Sequence, residues 1–255
     1  MIPKVMPPLS GLSVLVTRPL PQATVLAQRI TALGGEPLVL PAIHIQPLQV
    51  TAGSGHDLVV FVSVNAAEHG ARLIQKTAVT LVAAIGKATA AALSEAGVPA
   101  DVVPTAGFNS EALLAHPQLN LSTGSRVLIV RGRGGRELLQ ETFVSLGCEV
   151  EMLDVYERVA PVIDEQRRNE LEALWATQGI DIVTATSVET LDNLQALLSE
   201  QGRALLAMTP LVVASQRIRE AAIERGLRGD ILVAGGADDE SIIGVLSRWH
   251  ARARN

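Results

Sequence analysis

The sequence predicts an α/β protein that consists of two doubly wound parallel-sheet domains of similar architecture. Three observations lead to this prediction. Short apolar runs rich in Val, Ile and Leu alternate with segments of helical periodicity, which is typical of parallel sheets with right-handed crossovers. The clearest run, residues 127–130, is followed by Arg131 and a glycine turn and has the composition of a strand buried on both faces. The pattern around this run occurs twice in the 255 residues.

The internal repeat indicates the number of domains. Arg18 and Arg131 each follow an apolar run and are 113 positions apart, as are the Leu-Gly-x-Glu motifs at 33–36 and 146–149. Three looser matches are 57–63 with 181–187, 81–87 with 211–217, and 99–103 with 228–232. The repeat therefore indicates a duplication that produced two domains of about 120 residues each.

The first copy begins with a predicted strand over residues 12–17 and an amphipathic helix over 21–33, which Gly34 and Gly35 end. An extended segment follows at 37–47, and its prolines exclude a central position in a sheet. After a loose stretch at 51–55 come three strand–helix units. Their strands lie near 58–62, 81–85 and 100–103, and their helices begin near Asn65, Lys87 and Ser110.

The second copy begins with the strand at 127–130. The helix after it places Leu138, Leu139, Phe143 and Leu146 on one apolar stripe. The later elements are a strand over 149–157, a polar helix through Trp175, strands near 180–185, 211–214 and 231–233, and helices from Val188, Gln216 and Asp239.

Two extended segments, 37–47 and 150–161, are equivalent under the repeat, and both are candidates for the connection between the domains. Spacing alone leaves two arrangements open. Either each domain is contiguous, or the first unit of the chain pairs with the last three.

Composition and charge exclude several classes of protein. No apolar run reaches the roughly 18–20 residues that cross a bilayer, and residues 1–20 lack the apolar core of a signal peptide. Cys148 is the only cysteine, so no internal disulfide is possible and a cytoplasmic location is expected. A net charge of −5 argues against a general nucleic-acid binder.

Polar and basic side chains recur at the strand-to-helix junctions. Ser, Thr and Asn at these places are ordinary helix N-caps, each worth ~1 kcal/mol. Four junctions also carry Arg or Lys, although the N-terminus of a helix disfavours positive charge. A cation at that end indicates a negative ligand in front of it. Several such junctions facing one cleft would suit a polyanion, and the glycine turn after Arg131 is predicted to be one anion site.

Motifs for cofactors and covalent chemistry do not occur. Gly132, Gly134 and Gly135 lack the spacing of a dinucleotide fingerprint, and no Gly-Lys-Ser/Thr ends a phosphate loop. The five histidines are scattered, so no metal set is evident, and no serine lies in a nucleophile elbow. The sequence therefore predicts no cofactor and no metal.

Tyr156 is the only tyrosine, and two interpretations of it stay open. It is either a half-buried strand aromatic or a phenol that donates a hydrogen bond to a substrate.

Several ordered blocks together resemble the uroporphyrinogen-III synthase family over nearly the whole chain. The most specific is Val130-Arg-Gly-Arg-Gly-Gly-Arg-Glu-Leu138. The others are Val14-Leu-Val-Thr-Arg-Pro19, Ser63-Val-Asn-Ala66, Ala84-Ile-Gly-Lys-Ala-Thr89, Ser110-Glu111, Tyr156-Glu-Arg158, Thr186-Ser187 and Val212-Val-Ala-Ser215.

The resemblance implies a particular organisation and reaction. The two α/β domains would be joined by a two-stranded β-ladder. One domain would be discontinuous, 1–38 plus 163–255, with linker strands at 39–49 and 150–162 and an inserted domain at 50–149. The expected reaction closes the linear tetrapyrrole hydroxymethylbilane into uroporphyrinogen III, with loss of water and inversion of ring D, and it uses no cofactor.

The resemblance also implies a set of site residues for this substrate, which carries eight carboxylates. Tyr156 is the expected catalytic residue, in a supporting role because a phenol is a weak acid at neutral pH. The expected substrate-binding residues are Thr17, Arg18, Pro19, Ser63, Asn65, Ala66, Gly86, Lys87, Thr89, Ser110, Arg131, Gly132, Gly134, Gly135, Arg136, Thr186, Ser187, Ser215 and Arg217.

The expected partners are the substrate and, transiently, the upstream bilane-forming enzyme; a monomer is expected, with no nucleic acid and no membrane. Two other functions stay open on the residues alone. One is a two-lobed, non-enzymatic protein that closes on an anionic small molecule, as a sensor would. The other is a glycosyltransferase-like pair of domains.

Overall fold

The computed structural model describes residues 6–107, 109–135 and 137–253, and the chain divides into two compact units. Unit 1 comprises the chain up to His44 and from Val159 onwards, and unit 2 comprises Ile45–Arg158.

Strands and helices alternate along most of the chain. In order, they are β1 (Ser13–Val16), α1 (Gln22–Ala32), β2 (Glu36–Val39), β3 (His44–Pro47), β4 (Leu58–Phe61), α2 (Val64–Gly70), β5 (Leu81–Ala84), α3 (Lys87–Glu95), α4 (Ser110–Leu114), β6 (Arg126–Gly132), α5 (Leu138–Ser145), β7 (Glu149–Val159), α6 (Glu165–Leu174), β8 (Ile182–Ala185), α7 (Val188–Leu197), α8 (Glu200–Met208), β9 (Leu211–Val213), α9 (Gln216–Glu224), β10 (Ile231–Val233) and α10 (Asp239–Ala253).

Unit 1 contains a five-stranded sheet in the order β10-β9-β8-β1-β2, and every neighbouring pair in it is parallel. Strand β1 pairs with β8, with Val14 opposite Ile182. The first unit of the chain therefore pairs with the last three, which is the second of the two arrangements that spacing left open. Apolar side chains cover both faces, around Leu15 and Val183 on one and around Val14 and Ile242 on the other.

Unit 2 contains a second five-stranded sheet in the order β3-β7-β6-β4-β5, in which β7, β6, β4 and β5 are parallel. Strand β6 is central, and residues 127–130 are fully buried as predicted. Under the repeat, β7, β6, β4 and β5 correspond to β2, β1, β8 and β9, so these four strands have the same order in both units. Strands β2 and β3, which carry Pro37 and Pro47, lie at sheet edges, where proline costs no ladder hydrogen bond.

Three details differ from the sequence prediction. The strand expected at 100–103 is a single bridge between Val102 and Ala83, because the Asp101 carboxylate takes the Val82 N–H at 2.8 Å. Helix α8, capped by Ser199, was not predicted. Leu146 is 53% exposed, because α5 ends at Ser145 and Leu146 lies beyond the apolar stripe.

Within the described residues, no helix has both the length and the apolar character that crossing a membrane requires.

Candidate functional site

A pocket of about 210 Å³ lies in unit 2. It is located at the carboxyl ends of β4 and β6, between which the strand order reverses, and this is where doubly wound sheets usually bind ligands. Seven of the residues expected from the sequence line this pocket: Ser63, Ser110, Arg131, Gly132, Gly134, Gly135 and Tyr156.

Tyr156 is positioned by a close approach to the neighbouring strand. The pairing of β6 with β7 shifts register between Arg131 and Gly132, so that Gly132 lies opposite Tyr156. A Cβ atom at position 132 would lie 2.4 Å from Cζ of the tyrosine, so the ring packs directly on the glycine backbone. The register shift is the kind of irregularity that re-aims a side chain next to a binding site.

The Tyr156 side chain is 2% exposed and belongs to the core of unit 2. Its phenol oxygen lies 3.2 Å from Oγ of Ser63, and either group can donate. Ser63 also accepts the N–H of Ala66 at 3.0 Å as the N-cap of α2. The phenol therefore combines a buried ring with a polar end held at the pocket by a capped helix.

Arg131 supplies a cationic group to the same pocket. Its Nε donates to Oδ1 of Asp154 at 2.9 Å, and the side chain is 17% exposed. Its Nη1 is buried and makes no hydrogen bond to any described residue. A buried donor without a partner costs about 1–3 kcal/mol, and Arg131 is one of the residues that line the pocket.

The glycine turn after β6 contains two residues of positive φ, Gly134 at +77° and Gly135 at +108°. This left-handed backbone favours glycine, and a side chain there would be strained. Arg133, in the same turn, points elsewhere and pairs with Glu157 at 2.6 Å. Arg136 lies outside the described residues.

The other expected residues of unit 2 lie on neighbouring helices and do not line the pocket. Asn65 and Ala66 are in the first turn of α2, and Gly86, Lys87 and Thr89 are at the start of α3. Gly86 is the N-cap residue of α3, and Thr89 is buried.

In unit 1, the expected residues lie at the carboxyl ends of β1, β8 and β9. Ser187 caps α7 by accepting the N–H of Thr190 at 3.0 Å, and Thr186 precedes it. Ser215 is the N-cap residue of α9 without a side-chain capping bond, and Arg217 is exposed.

Thr17 and Arg18 are engaged inside unit 1, and Pro19 follows them. The Thr17 hydroxyl donates to the carbonyl of Thr184. The Arg18 guanidinium pairs with Asp239 and also donates to the carbonyl of Ala237. Arg18 and Arg131 are equivalent in the repeat, but the charge of Arg18 is neutralised by Asp239, whose side chain is 16% exposed.

Two polar pocket residues were not selected from the sequence, Gln140 and Arg158. Arg158 is two positions after Tyr156 on β7, and residues i and i+2 of a strand share a face, so the strand period was a usable signal. Gln140 lies in the first turn of α5, where no local pattern distinguishes it. In the described part of the chain, no group of three His, Cys, Asp or Glu side chains is close enough to hold a metal ion.

Comparison with known proteins gives a consistent result. The family model "Uroporphyrinogen-III synthase HemD" matches residues 24–244. The uroporphyrinogen-III synthase of Salmonella typhimurium is 34% identical over 250 residues, which cover 92% of this chain and 100% of the relative. The Escherichia coli enzyme of the same name is 32% identical with the same coverage.

Two solved structures resemble the fold. Uroporphyrinogen-III synthetase from Helicobacter pylori has a TM-score of 0.61 at 14% identity and covers 94% of this chain and 99% of its own. A mutant uroporphyrinogen III synthase from Thermus thermophilus has a TM-score of 0.53 at 17% identity, with 96% and 100% covered. At these identities the likeness concerns the fold alone.

Proposed function

The chain belongs to the uroporphyrinogen-III synthase family, and from that membership we propose that the pocket of unit 2 takes part in the family's reaction. The protein is an enzyme that cyclises the linear tetrapyrrole hydroxymethylbilane to uroporphyrinogen III, with inversion of ring D and loss of water. The observation that carries the placement of the site is the buried Nη1 of Arg131, which has no hydrogen-bond partner among the described residues, in a pocket that Tyr156 also lines.

In this proposal, Arg131 binds one of the substrate's carboxylates. Its Nε is held by Asp154, so the guanidinium is fixed in orientation before the substrate arrives. A charge-assisted hydrogen bond from Nη1 would contribute about 1.5–3 kcal/mol to binding. Arg158, Gln140 and Ser110 line the same pocket and offer further donors to the carboxylates.

Tyr156 assists the reacting end of the substrate. When Ser63 donates to the phenol oxygen, the phenol hydrogen is available to a group in the pocket, such as the hydroxyl that leaves as water. The pyrrole nitrogens supply the electrons for that loss, so the phenol stabilises a departing group and is not the main driving force. Much of the barrier reduction is expected from holding ring D so that its substituted carbon is attacked.

The remaining expected residues belong to the same proposal. The glycine turn at Gly132, Gly134 and Gly135 allows close approach of a ligand to the backbone. The unit 1 junctions, with Thr186, Ser187, Ser215 and Arg217, are proposed as a second set of carboxylate-binding residues. Arg18 is proposed to position its junction, because its guanidinium is already paired.

Asn65, Ala66, Gly86, Lys87 and Thr89 are proposed to contact the substrate from α2 and α3. Arg136 lies outside the described residues, and it is proposed to bind substrate on the basis of the sequence resemblance alone. Thr17 and Pro19 flank Arg18 in the sequence and are proposed to belong to the same substrate-binding junction.

We also propose that residues 39–49 and 150–162 form a two-stranded connection between domains at 1–38 plus 163–255 and at 50–149. The chain passes between the two compact units at residues 44–45 and 158–159, which lie inside these segments, and β3 is the sheet neighbour of β7. We propose further that the protein acts in the cytoplasm as a monomer and contacts the upstream bilane-forming enzyme transiently. The single cysteine supports a reducing compartment.

The test is an isomer assay. Hydroxymethylbilane closes spontaneously to the type I isomer, so chromatography of the oxidised porphyrins should show mostly type III once the protein is added. Product that stays type I at high protein concentration would overturn the function. Stoichiometric binding of the bilane without turnover would instead identify a non-enzymatic anion-binding protein.

A further inference from the structure

A groove of about 760 Å³ in unit 1 lies apart from the junction residues assigned to substrate. Its floor is the outer edge of β10, and its walls are α9 and α10. The edge residues Ile231 and Leu232 lie in the floor, Ile223 and Leu227 belong to the α9 side, and Trp249 belongs to the α10 side. Ile223 is half exposed, so the groove presents apolar surface to solvent.

Strand β10 ends the sheet of unit 1, and the ladder shows which of its backbone groups face outwards. The carbonyl of Asp230 accepts the N–H of Leu211, and the N–H of Ala234 donates to Val213. Because alternate residues of a strand face the same neighbour, Leu232 also faces β9. The N–H and C=O groups of Ile231 and Val233 therefore point away from β9, and Ile231 lines the groove while Val233 is the next outward-facing residue along the same edge.

This edge differs from the other sheet edges of the described chain. Strand β2 carries Pro37 and β3 carries Pro47, and β5 is continued by the bridge from Ala83 to Val102. Natural proteins protect edges with proline or charge against pairing with other chains. Strand β10 has neither within Ile231–Val233.

The charge of the groove identifies the kind of strand that fits. Arg219, Arg228 and Arg252 line it, and among the described residues none of the three has an ion-pair partner. Among the described lining residues, Asp230 alone is acidic, and it accepts the Trp249 Nε1–H at 3.5 Å. The groove is therefore basic in a chain of net charge −5.

We propose that the β10 groove is a docking site for an extended, acidic segment of a partner protein, which adds to β10 as a further strand. Main-chain hydrogen bonds to Ile231 and Val233 would bind the segment, and alternate side chains would meet α9 and α10. The three arginines select acidic side chains. A second copy of this chain is disfavoured as the occupant, because pairing β10 with itself would bring two sets of arginines together.

The probe is a fluorescent nine-residue peptide of alternating Glu and Val, titrated into the full-length protein at low salt. A peptide of the same composition with Glu and Val in two blocks is the control for pattern. We expect saturable binding of the alternating peptide and at least about tenfold weaker binding of the block peptide. Hydrogen exchange at the amides of Ile231 and Val233 should slow on binding.

Two sets of variants separate strand addition from simple charge attraction. V233P removes an outward N–H without breaking the ladder to β9 and should weaken binding about tenfold, whereas V233A should not. The double variant R219E/R252E should weaken it by at least about tenfold. R248E changes an exposed arginine of α10 outside the groove, and it is the charge-matched control for the single variant R252E.

Equal affinity of V233P and the unchanged protein would overturn strand addition, and the absence of saturable binding up to millimolar peptide would overturn the docking site. A concentration-dependent dimer in sedimentation that V233P abolishes would assign the groove to a second copy, against the proposal. The proposal is independent of the proposed function, and V233P should leave the isomer ratio of the porphyrin product unchanged.

Discussion

The ring of Tyr156 lies directly on the α-carbon of Gly132, so that a methyl group at position 132 would approach the phenol oxygen to 2.8 Å and Cζ to 2.4 Å. Only a residue without a side chain allows the phenol to reach Ser63. Gly132 has no positive φ, so the requirement comes from the ring and not from backbone strain.

The variant G132A should therefore displace the ring. Overpacking a buried contact costs about 1–3 kcal/mol, and turnover should fall because the phenol moves from its position beside Ser63. Urea unfolding and steady-state kinetics measure the two effects. The double variant G132A/Y156A should be as stable as Y156A alone, since the clashing ring is absent from both. If G132A still lowers the stability of Y156A, the clash lies elsewhere.

Removing only the phenol oxygen tests its chemistry. Y156F keeps the buried ring and loses the 3.2 Å contact with Ser63, so the free energy of unfolding should change by no more than about 1 kcal/mol. Turnover should fall about tenfold, in keeping with a supporting hydrogen bond worth about 1.4 kcal/mol in the transition state.

The companion variant S63A also removes the N-cap of α2 and should cost ~1 kcal/mol of stability. If Y156F has the kinetics of the unchanged enzyme, Tyr156 is a core aromatic and not a catalytic residue.

The local pattern was sufficient for most elements of the fold. The runs at 127–130 and 58–62 and the N-caps of α2 and α7 are short-range features, and the structure has them where the sequence predicts them. Strand neighbours are not a local property, so the pairing of β1 with β8 did not follow from spacing. Helix α8 was missed because the repeat comparison offered no counterpart for it.

The candidate site was less predictable, because charge pairing depends on distant residues. Arg18 and Arg131 occupy equivalent positions in the sequence repeat, but Arg18 meets Asp239, 221 positions away. Nothing near Arg18 in the sequence indicates that partner. Likewise, only the structure shows that β7 places Asp154 beside Nε of Arg131 and that Nη1 has no partner among the described residues.

Arg131 should contribute to substrate affinity. R131A removes the buried Nη1 donor, and loss of about 1.5–3 kcal/mol should raise the apparent KM roughly 10- to 140-fold, with a smaller effect on kcat. The matched control is R133A, two positions away, whose guanidinium pairs with Glu157 and does not line the pocket. Similar KM values for the two variants would remove Arg131 from the binding site.

Arg18 should contribute to stability. Its side chain and that of Asp239 are 7% and 16% exposed, and breaking such a buried pair costs about 3–5 kcal/mol. R18M should therefore lower the free energy of urea unfolding by about 3 kcal/mol. R29M is the control, because Arg29 is 43% exposed, lies 3.5 Å from the same carboxylate and should cost less than about 1 kcal/mol. A stable R18M enzyme with a raised KM would show that Arg18 binds substrate directly.

Asp101 gives the fold a defined dependence on acid. Burial raises the pKa of its carboxyl, but hydrogen bonds from Lys76 at 2.9 and 3.0 Å and from the Val82 N–H at 2.8 Å outweigh burial and hold the pKa below its usual 3.8. A lowered pKa in the folded state stabilises the protein above the unfolded pKa. This contribution is lost as the pH falls through the folded value.

D101N should therefore unfold more easily than the unchanged protein at pH 7, and the difference should shrink as the pH is lowered from about 5 to below 3. Urea unfolding at several pH values measures it. K76M loses the lysine and keeps the hydrogen bond from the Val82 N–H to Asp101. Its free energy of unfolding at pH 7 should lie between those of the unchanged protein and D101N, because one of the groups that lower the pKa of Asp101 remains. A D101N difference that is the same at pH 3 and pH 7 would show that the carboxylate charge does not stabilise the bridge between Val102 and Ala83.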